Sequence, residues 1–379
     1  MKILIDSRGA SFYRGTGIGT YTHNFLKTLI NIDKKNDYHL FCSGPDHNDY
    51  KSDNTNIIMS SKKHKTFFEE FYMPTYATDN KVDIYHVPQN GMGIQHSPNS
   101  TLNIATIHDL IPYILPETTG KRYLKNFLRY MPEIIEKSDG ILTVSEYSKK
   151  DILRFFPSFP AERIFVTPLA ANLQYKPLDK EKDLINVQNR FNFTGNFIMY
   201  IGGFSPRKNV QGLLESFNKI YKNFNEDIKL LIVGGLRDEG IRLKNLSQTF
   251  EFKDKIIFTG FIEEDYLPTL YRACSLFVYP SLYEGFGLPP LESMSCGTPV
   301  LASNVTSIPE VVLNSDLLFN PYNNTEFETK LINFINNINL REQYSKEALE
   351  IASKFSWKKT SELTLKAYEE IYRIGKKIW

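Results

Sequence analysis

The sequence predicts an α/β protein made of two doubly wound halves, each a parallel sheet with helices on both faces. Three observations predict it. Short apolar runs alternate with amphipathic segments along the chain, first over residues 3–167 and again from residue 197. A polar, charged stretch, 171–196, interrupts that rhythm and reads as a linker. The glycine loops and charged residues that could carry chemistry follow apolar runs, and ligands of doubly wound sheets bind outside the carboxyl ends of their strands.

The first half supplies seven candidate strands: Ile3–Asp6, Tyr38–Cys42, Asn56–Met59, Asp83–Val87, Thr101–His108, Gly140–Val144 and Ile164–Thr167. Helical patterns lie between them. Ile18, Tyr21, Phe25 and Leu29 share one helical face, a longer helix covers about Lys121–Ser138, and Ser145 is the candidate N-cap of a helix over Glu146–Phe156. The second half supplies Phe197–Ile201, Ile228–Val233, Lys255–Phe258, Ser275–Tyr279 and Pro299–Ala302. The chain ends in helical patterns alone. Ser356 is a candidate cap for a helix running to about Ile374. The halves match in style and not in residues, so no sequence repeat is assigned.

Composition sets outer bounds. With 379 residues, 41% hydrophobic and 23% charged, the chain is an ordinary globular protein of two or three domains. A net charge of +2 gives no global field for nucleic acid. The N-terminal apolar run is too short for a signal peptide, and no stretch approaches the roughly 20 residues that span a bilayer. Cys42, Cys274 and Cys296 have no metal-binding spacing and read as reduced core residues of a cytoplasmic protein.

The most informative stretch is Glu284-Gly285-Phe286-Gly287-Leu288-Pro289-Pro290-Leu291-Glu292. It follows a buried-strand pattern. Gly285 and Gly287 let the backbone approach a ligand, and the two prolines suit the first turn of a helix. Carboxylates accept hydrogen bonds from hydroxyls and exposed amides donate to oxygens, so a polyhydroxylated ligand fits. A plainer reading of Glu292 stands beside this one, because a helix dipole alone favours a Glu near its N-terminus by about 0.3–1 kcal/mol.

Other candidates sit after strands in the same way. Gly202-Gly203-Phe204-Ser205-Pro206-Arg207-Lys208 reads as a strand, a glycine pair and then two cations at a helix start, suited to a pyrophosphate. The alternative is a solvated basic pair. Gly15-Thr16-Gly17-Ile18-Gly19 follows the first strand but lacks the spacing and acidic partner of a dinucleotide fingerprint. His108 and Asp109 end a strand of the first half. Phe258-Thr259-Gly260-Phe261 ends one of the second. Lys121, Arg122, Lys125 and Arg129, and Lys62, Lys63 and Lys65 ahead of Phe67 and Phe71, are candidate contacts for anionic lipid, or simply solvated faces above a core stripe.

The Glu-x7-Glu unit of residues 284–292 resembles the signature of retaining, group 1 glycosyltransferases of the GT-B fold. The resemblance covers nearly the whole chain and is most specific over 200–310. It implies two Rossmann-like domains facing across a cleft, an acceptor domain over 1–175 with the C-terminal helix 356–379 returning to it, and a donor domain over 176–355. It implies that Glu292 holds ribose hydroxyls. Glu284 and the amides of Phe286 and Gly287 would hold the donor sugar, with Gly285 and Leu288 in the same loop. Arg207 and Lys208 would bind the departing diphosphate. Gly17 and Gly19 approach it from the first half, His108 lies beside the transferred sugar, and the run Phe258-Thr259-Gly260-Phe261-Ile262 places backbone amides and carbonyls against the base. Many relatives carry an Arg where this chain has Gly203, so Arg207 stands in for it.

The resemblance is strongest to bacterial mannosyltransferases of surface-polysaccharide synthesis. The expected reaction moves a hexose from a nucleoside diphosphate sugar, GDP-mannose ahead of a UDP-sugar, to a saccharide or lipid-linked saccharide hydroxyl. No cofactor and no metal are expected, because the two cations neutralise the leaving group. Same-face attack and a covalent intermediate both stay open. A sugar-nucleotide epimerase and a catalytically silent sugar-nucleotide binder remain the alternatives. The acceptor loops fall at about 10–20, 60–75 and 88–98 and carry no legible code; the oligomeric state is likewise unread.

Overall fold

The computed structural model describes residues 1–60, 62–94 and 101–378. Ser61 and residues 95–100 of the expected acceptor loops, and the side chains of Lys62 and Lys65, lie outside the described residues. The chain divides into two compact units, Met1–Ala170 with Ser356–Trp379, and Ala171–Phe355.

The first unit holds a seven-stranded parallel sheet: β1 (Lys2–Asp6), β2 (Asp37–Cys42), β3 (Thr55–Met59), β4 (Ile84–Val87), β5 (Leu102–Ile107), β6 (Gly140–Thr143) and β7 (Ile164–Val166). Their order is β3-β2-β1-β4-β5-β6-β7. Strands covered on both faces bury nearly every side chain, which is why they read as continuous apolar runs. Ile3, Leu4 and Ile5 of β1 are fully buried, and Ile3 pairs with Tyr38 on one side and Ile84 on the other. Chain order reverses at β1, so the crevice at the carboxyl ends of β1 and β4 is where such a sheet accepts a ligand.

The second unit repeats the plan with six parallel strands: β8 (Asn196–Ile201), β9 (Ile228–Val233), β10 (Ile256–Gly260), β11 (Leu276–Tyr279), β12 (Val300–Ser303) and β13 (Leu318–Phe319). The order is β10-β9-β8-β11-β12-β13, and the reversal falls between β8 and β11. Phe197, Ile198, Met199 and Tyr200 of β8 are fully buried, each contributing about 1.5–3 kcal/mol. The sequence reading lacks β13, whose two residues are too few to show a period.

The terminal helix, Trp357–Ile378, belongs to the first unit. Ser356 caps it, its Oγ accepting from Lys359 N at 3.1 Å. Tyr368 meets His86 Nδ1 at 2.7 Å and Trp357 packs against Tyr21. Ser145 caps the helix Glu146–Phe155 as its position suggests, accepting from Ser148 N at 3.0 Å.

The stretch read as a linker is not plain linker. It carries the helix Lys180–Phe191, capped by Asp179 and docked by Val187, which is fully buried, and by Asp183, which pairs with Arg272 Nε at 2.5 Å. Its narrow apolar face leaves the sequence polar, and that hid it. The three cysteines are buried thiols. Among the described residues no helix is long and apolar enough to cross a membrane. On the helix Lys121–Glu136, Lys121, Arg122, Lys125 and Arg129 are exposed alongside Tyr123, Leu128 and Tyr130.

Candidate active site

The Glu284–Glu292 loop leaves the carboxyl end of β11 and enters the helix Leu288–Ser295. Gly287 stands at the helix entrance with φ +112°, a conformation that strains any residue with a Cβ. Pro289 and Pro290 occupy the first turn. Thr306 and Ser307, which follow β12, pin the loop. Glu284 N donates to Thr306 Oγ1 at 3.1 Å, and Ser307 Oγ donates to the carbonyls of Glu284 and Phe286 at 2.9 Å each. Gly285 and Phe286 are buried, and the Phe286 ring sits edge-on to Phe355.

Glu284 points at the two cations. Lys208 Nζ lies 2.5 Å from Glu284 Oε1 and Arg207 Nη1 lies 3.1 Å from Oε2. Lys208 also donates to Tyr279 OH at 2.9 Å, and Arg207 to the Tyr283 carbonyl at 2.8 Å. Leu282 N reaches the Arg207 carbonyl at 2.7 Å, fastening the two loops. Beneath them the Tyr200 and Tyr279 rings stack across β8 and β11. Burial disfavours charge on Glu284, but Lys208 and Arg207 outweigh it and hold the carboxyl down at about 2. The group therefore sits at the switch point of the second sheet as a built, ionised triad.

One detail differs from the sequence reading. Arg207 and Lys208 do not begin a helix. They lie in a tight turn, Pro206–Lys208, and the helix Val210–Ile220 starts after Asn209, which takes a left-handed conformation. Gly203 is exposed on the preceding loop, with open space where a Cβ would stand.

Glu292 lies a turn deeper, accepting from Tyr271 OH at 3.0 Å. Burial pushes its carboxyl up to about 8, helped by Glu264 and opposed by hydrogen bonds from Tyr271 and Tyr175. Its partial opening to solvent works against the shift. The folded chain keeps a proton there that the unfolded chain sheds near its ordinary value. Stability from this group is therefore greatest at acid pH and falls as pH rises through about 8. Glu292→Gln is expected to remove about 2 kcal/mol of that fall. Urea melts from pH 5 to 9 read it, and an unchanged slope would show that the carboxyl titrates normally.

The remaining candidates fall elsewhere. His108, at the end of β5, is buried; its Nε2 donates to the Pro88 carbonyl at 3.0 Å and its ring packs edge-on to Tyr21. Burial lowers its pKa to about 4, against the pull of Pro88, so it is neutral at pH 7. Asp109 fastens the loop that follows, its Oδ1 accepting from Ile111 N at 3.0 Å at the next helix start. Gly19 has a packing reason: a Cβ there would stand 2.1 Å from the Tyr13 carbonyl. Gly17 begins the same helix, with open space around it. Phe261 follows β10 and is 76% exposed. Leu288 is the first residue of its helix. The sequence reading missed Tyr279, Tyr271, Thr306 and Ser307. None carries a motif: Thr306 and Ser307 leave only a hydroxyl past the end of β12, Tyr279 closes β11, and Tyr271 lies inside the helix Leu267–Ala273. Among the described residues no group of three or more His, Cys, Asp or Glu side chains could hold a metal ion.

The family model for glycosyl transferases group 1 matches residues 181–350, and that for Glycosyltransferase Family 4 matches 15–175. The O-antigen chain mannosyltransferase B of Escherichia coli is 30% identical over 97% of this chain and 100% of its own. The chain belongs to the group 1 glycosyltransferases. Two solved structures share its fold. Sucrose-phosphate synthase from Thermosynechococcus elongatus superposes with a TM-score of 0.75 at 20% identity, over 98% of this chain and 99% of that one. Anabaena HepE, solved with UDP and glucose, gives 0.72 at 17%, over 96% and 98%. The fold is GT-B, and the chain is a group 1 glycosyltransferase.

Proposed function

We propose that the enzyme moves a hexose, mannose ahead of others, from a nucleoside diphosphate sugar to a saccharide hydroxyl with retention, in O-antigen or similar surface-polysaccharide assembly. The observation that carries the donor half is the Lys208–Glu284–Arg207 triad at the switch point of the second sheet. The similarity to an O-antigen mannosyltransferase supports the sugar and the setting; GDP-mannose, ahead of a UDP-sugar, is the donor this reading takes.

Arg carries five donors and Lys three, so both can serve Glu284 and a diphosphate together. In this reading the diphosphate takes charge-assisted bonds from Arg207 and Lys208, which stabilise it as it departs without a metal. Glu284 and the Phe286 and Gly287 amides hold the sugar, and Glu292 holds the ribose. Gly203, Gly285, Leu288 and Phe261 complete the donor surroundings within the second unit. A carboxylate clamped by two cations is a poor nucleophile, which supports same-face attack in which the donor phosphate takes the acceptor proton.

A donor panel with free and lipid-linked mannosides tests the reading. Mannosyl transfer from GDP-mannose with retained configuration, unaffected by EDTA, is the expected result. Transfer only from UDP-sugars would replace the donor, inversion would refute retention, and loss of activity on chelation would refute metal independence. The exposed basic face of the helix Lys121–Glu136 supports weak contact with an anionic membrane surface. Flotation with anionic liposomes should fall as salt rises, and no binding at low salt would remove that part.

A further inference from the structure

Behind Glu292 stands a frame that the donor assignments do not use. Glu292 sits on the helix Leu288–Ser295 and is half-buried, whereas Tyr175 is 5% exposed and Tyr271 fully buried. Tyr271 OH donates to Glu292 Oε2 at 3.0 Å, and Tyr175 adds a hydrogen bond to the same carboxyl. The two phenol rings meet edge-on with centroids 5.7 Å apart, and Phe277 of β11 holds the Tyr271 ring in the same way at 5.3 Å.

Each tyrosine is itself braced. Tyr271 belongs to the helix Leu267–Ala273, and its carbonyl accepts from Thr298 Oγ1 at 2.5 Å. Thr298 N donates in turn to the Ser293 carbonyl at 3.1 Å, on the helix that carries Glu292. Arg272, next to Tyr271, pairs with Asp183 of the helix Lys180–Phe191. Tyr175 precedes that helix, where the chain enters the second unit, and its N–H donates to the Asn172 carbonyl at 2.9 Å. The polar stretch 171–191 therefore packs on the helix that supplies Tyr271 and brings Tyr175 to the same carboxyl.

Placement of Glu292 by the helix dipole alone requires no such pair of buried phenols. An ionised carboxyl accepts about four hydrogen bonds, so two tyrosines leave room for the vicinal hydroxyls of a ribose. A carboxyl fixed before the ligand arrives also lowers the ordering cost of binding.

We propose that Tyr175 and Tyr271 are positioning residues that hold Glu292 for the vicinal hydroxyls of the donor's ribose, which makes the segment 171–191 part of the nucleotide site. The proposal rests on the reading of Glu292 as the ribose ligand.

Calorimetric titration with GDP and UDP, each beside its 2′-deoxy form, tests it. A site that hydrogen-bonds a hydroxyl rejects the analogue that lacks it, so the wild type should prefer the ribo form. Tyr271→Phe and Tyr175→Phe keep the rings and remove one hydroxyl each. Each is expected to weaken the ribo form about three- to tenfold and the 2′-deoxy form less, so that the preference shrinks. Donor KM should rise by the same factor while kcat at saturating donor holds. In a Glu292→Gln background neither Phe substitution should add anything further, because both act through that carboxyl. Thermal melts separate lost binding from lost fold. A wild-type preference in either Phe variant, equal weakening of both nucleotide forms, or effects that add to Glu292→Gln would overturn the proposal. A wild-type preference in Glu292→Gln itself would instead refute the ribose reading and remove the ground beneath the proposal, so the two failures are told apart.

Discussion

Glu284→Gln is expected to lower stability by about 3 kcal/mol and turnover by about 10²–10³-fold. The carboxylate lies between Lys208 at 2.5 Å and Arg207 at 3.1 Å, with side-chain exposures of 10%, 12% and 18%. Removing the charge leaves two largely buried cations facing each other. The figure is the downward shift of the Glu284 carboxyl, from its ordinary value to about 2, expressed as free energy. The sign follows from the direction. A carboxyl held below its unfolded value contributes stability above about pH 4.5 and loses it as pH falls toward about 2. Urea melts of both proteins should therefore differ by about 3 kcal/mol at pH 7, by less than half of that at pH 3, and converge only near pH 2. Equal midpoints at pH 7 would show that the triad adds nothing to the fold. Turnover measured under conditions where the Glu284→Gln variant is still folded isolates the catalytic share.

Lys208→Ala is expected to separate function from folding. Turnover should fall about 10²–10³-fold, because a fixed cation at a departing diphosphate acts mainly in the transition state. Stability should fall by only about 1–2 kcal/mol, because Glu284 keeps Arg207. Saturating-donor kinetics and a thermal melt read the two effects. A variant within threefold of wild-type turnover would remove Lys208 from the donor site. Loss of turnover accompanied by an equal loss of fold would make it a structural residue.

Much of the fold was legible because its signals are local. Strand β9 appears at Ile228–Val233 with the bounds its apolar run gives, and β8, β11 and β12 lie within one residue of theirs. The Ser145 and Ser356 caps need only a hydroxyl three residues before an amide. The helix Lys180–Phe191 was lost because burial of Val187 and the Asp183–Arg272 pair, 89 residues apart in sequence, set its inner face. Two residues cannot display alternation, so β13 was invisible.

The candidate site divides in the same way. Local pattern suffices for the parallel α/β plan and for the chemistry of the 284–292 loop. Apolar period, Gly287 and the proline pair act within a few residues of themselves. The same pattern names Arg207, Lys208, Glu284 and Glu292 without saying which of them touch. It takes the folded chain to show that Glu284 clamps both cations, Lys208 from 76 residues away, and that Glu292 meets Tyr271. The folded chain also brings Arg8 and Gln89 together on the Asp6 carboxylate, Gln89 from 83 residues away. The reason is sheet order. Residues at strand ends become neighbours when β8 lies beside β11 and β1 beside β4, and nothing local in the chain encodes those adjacencies.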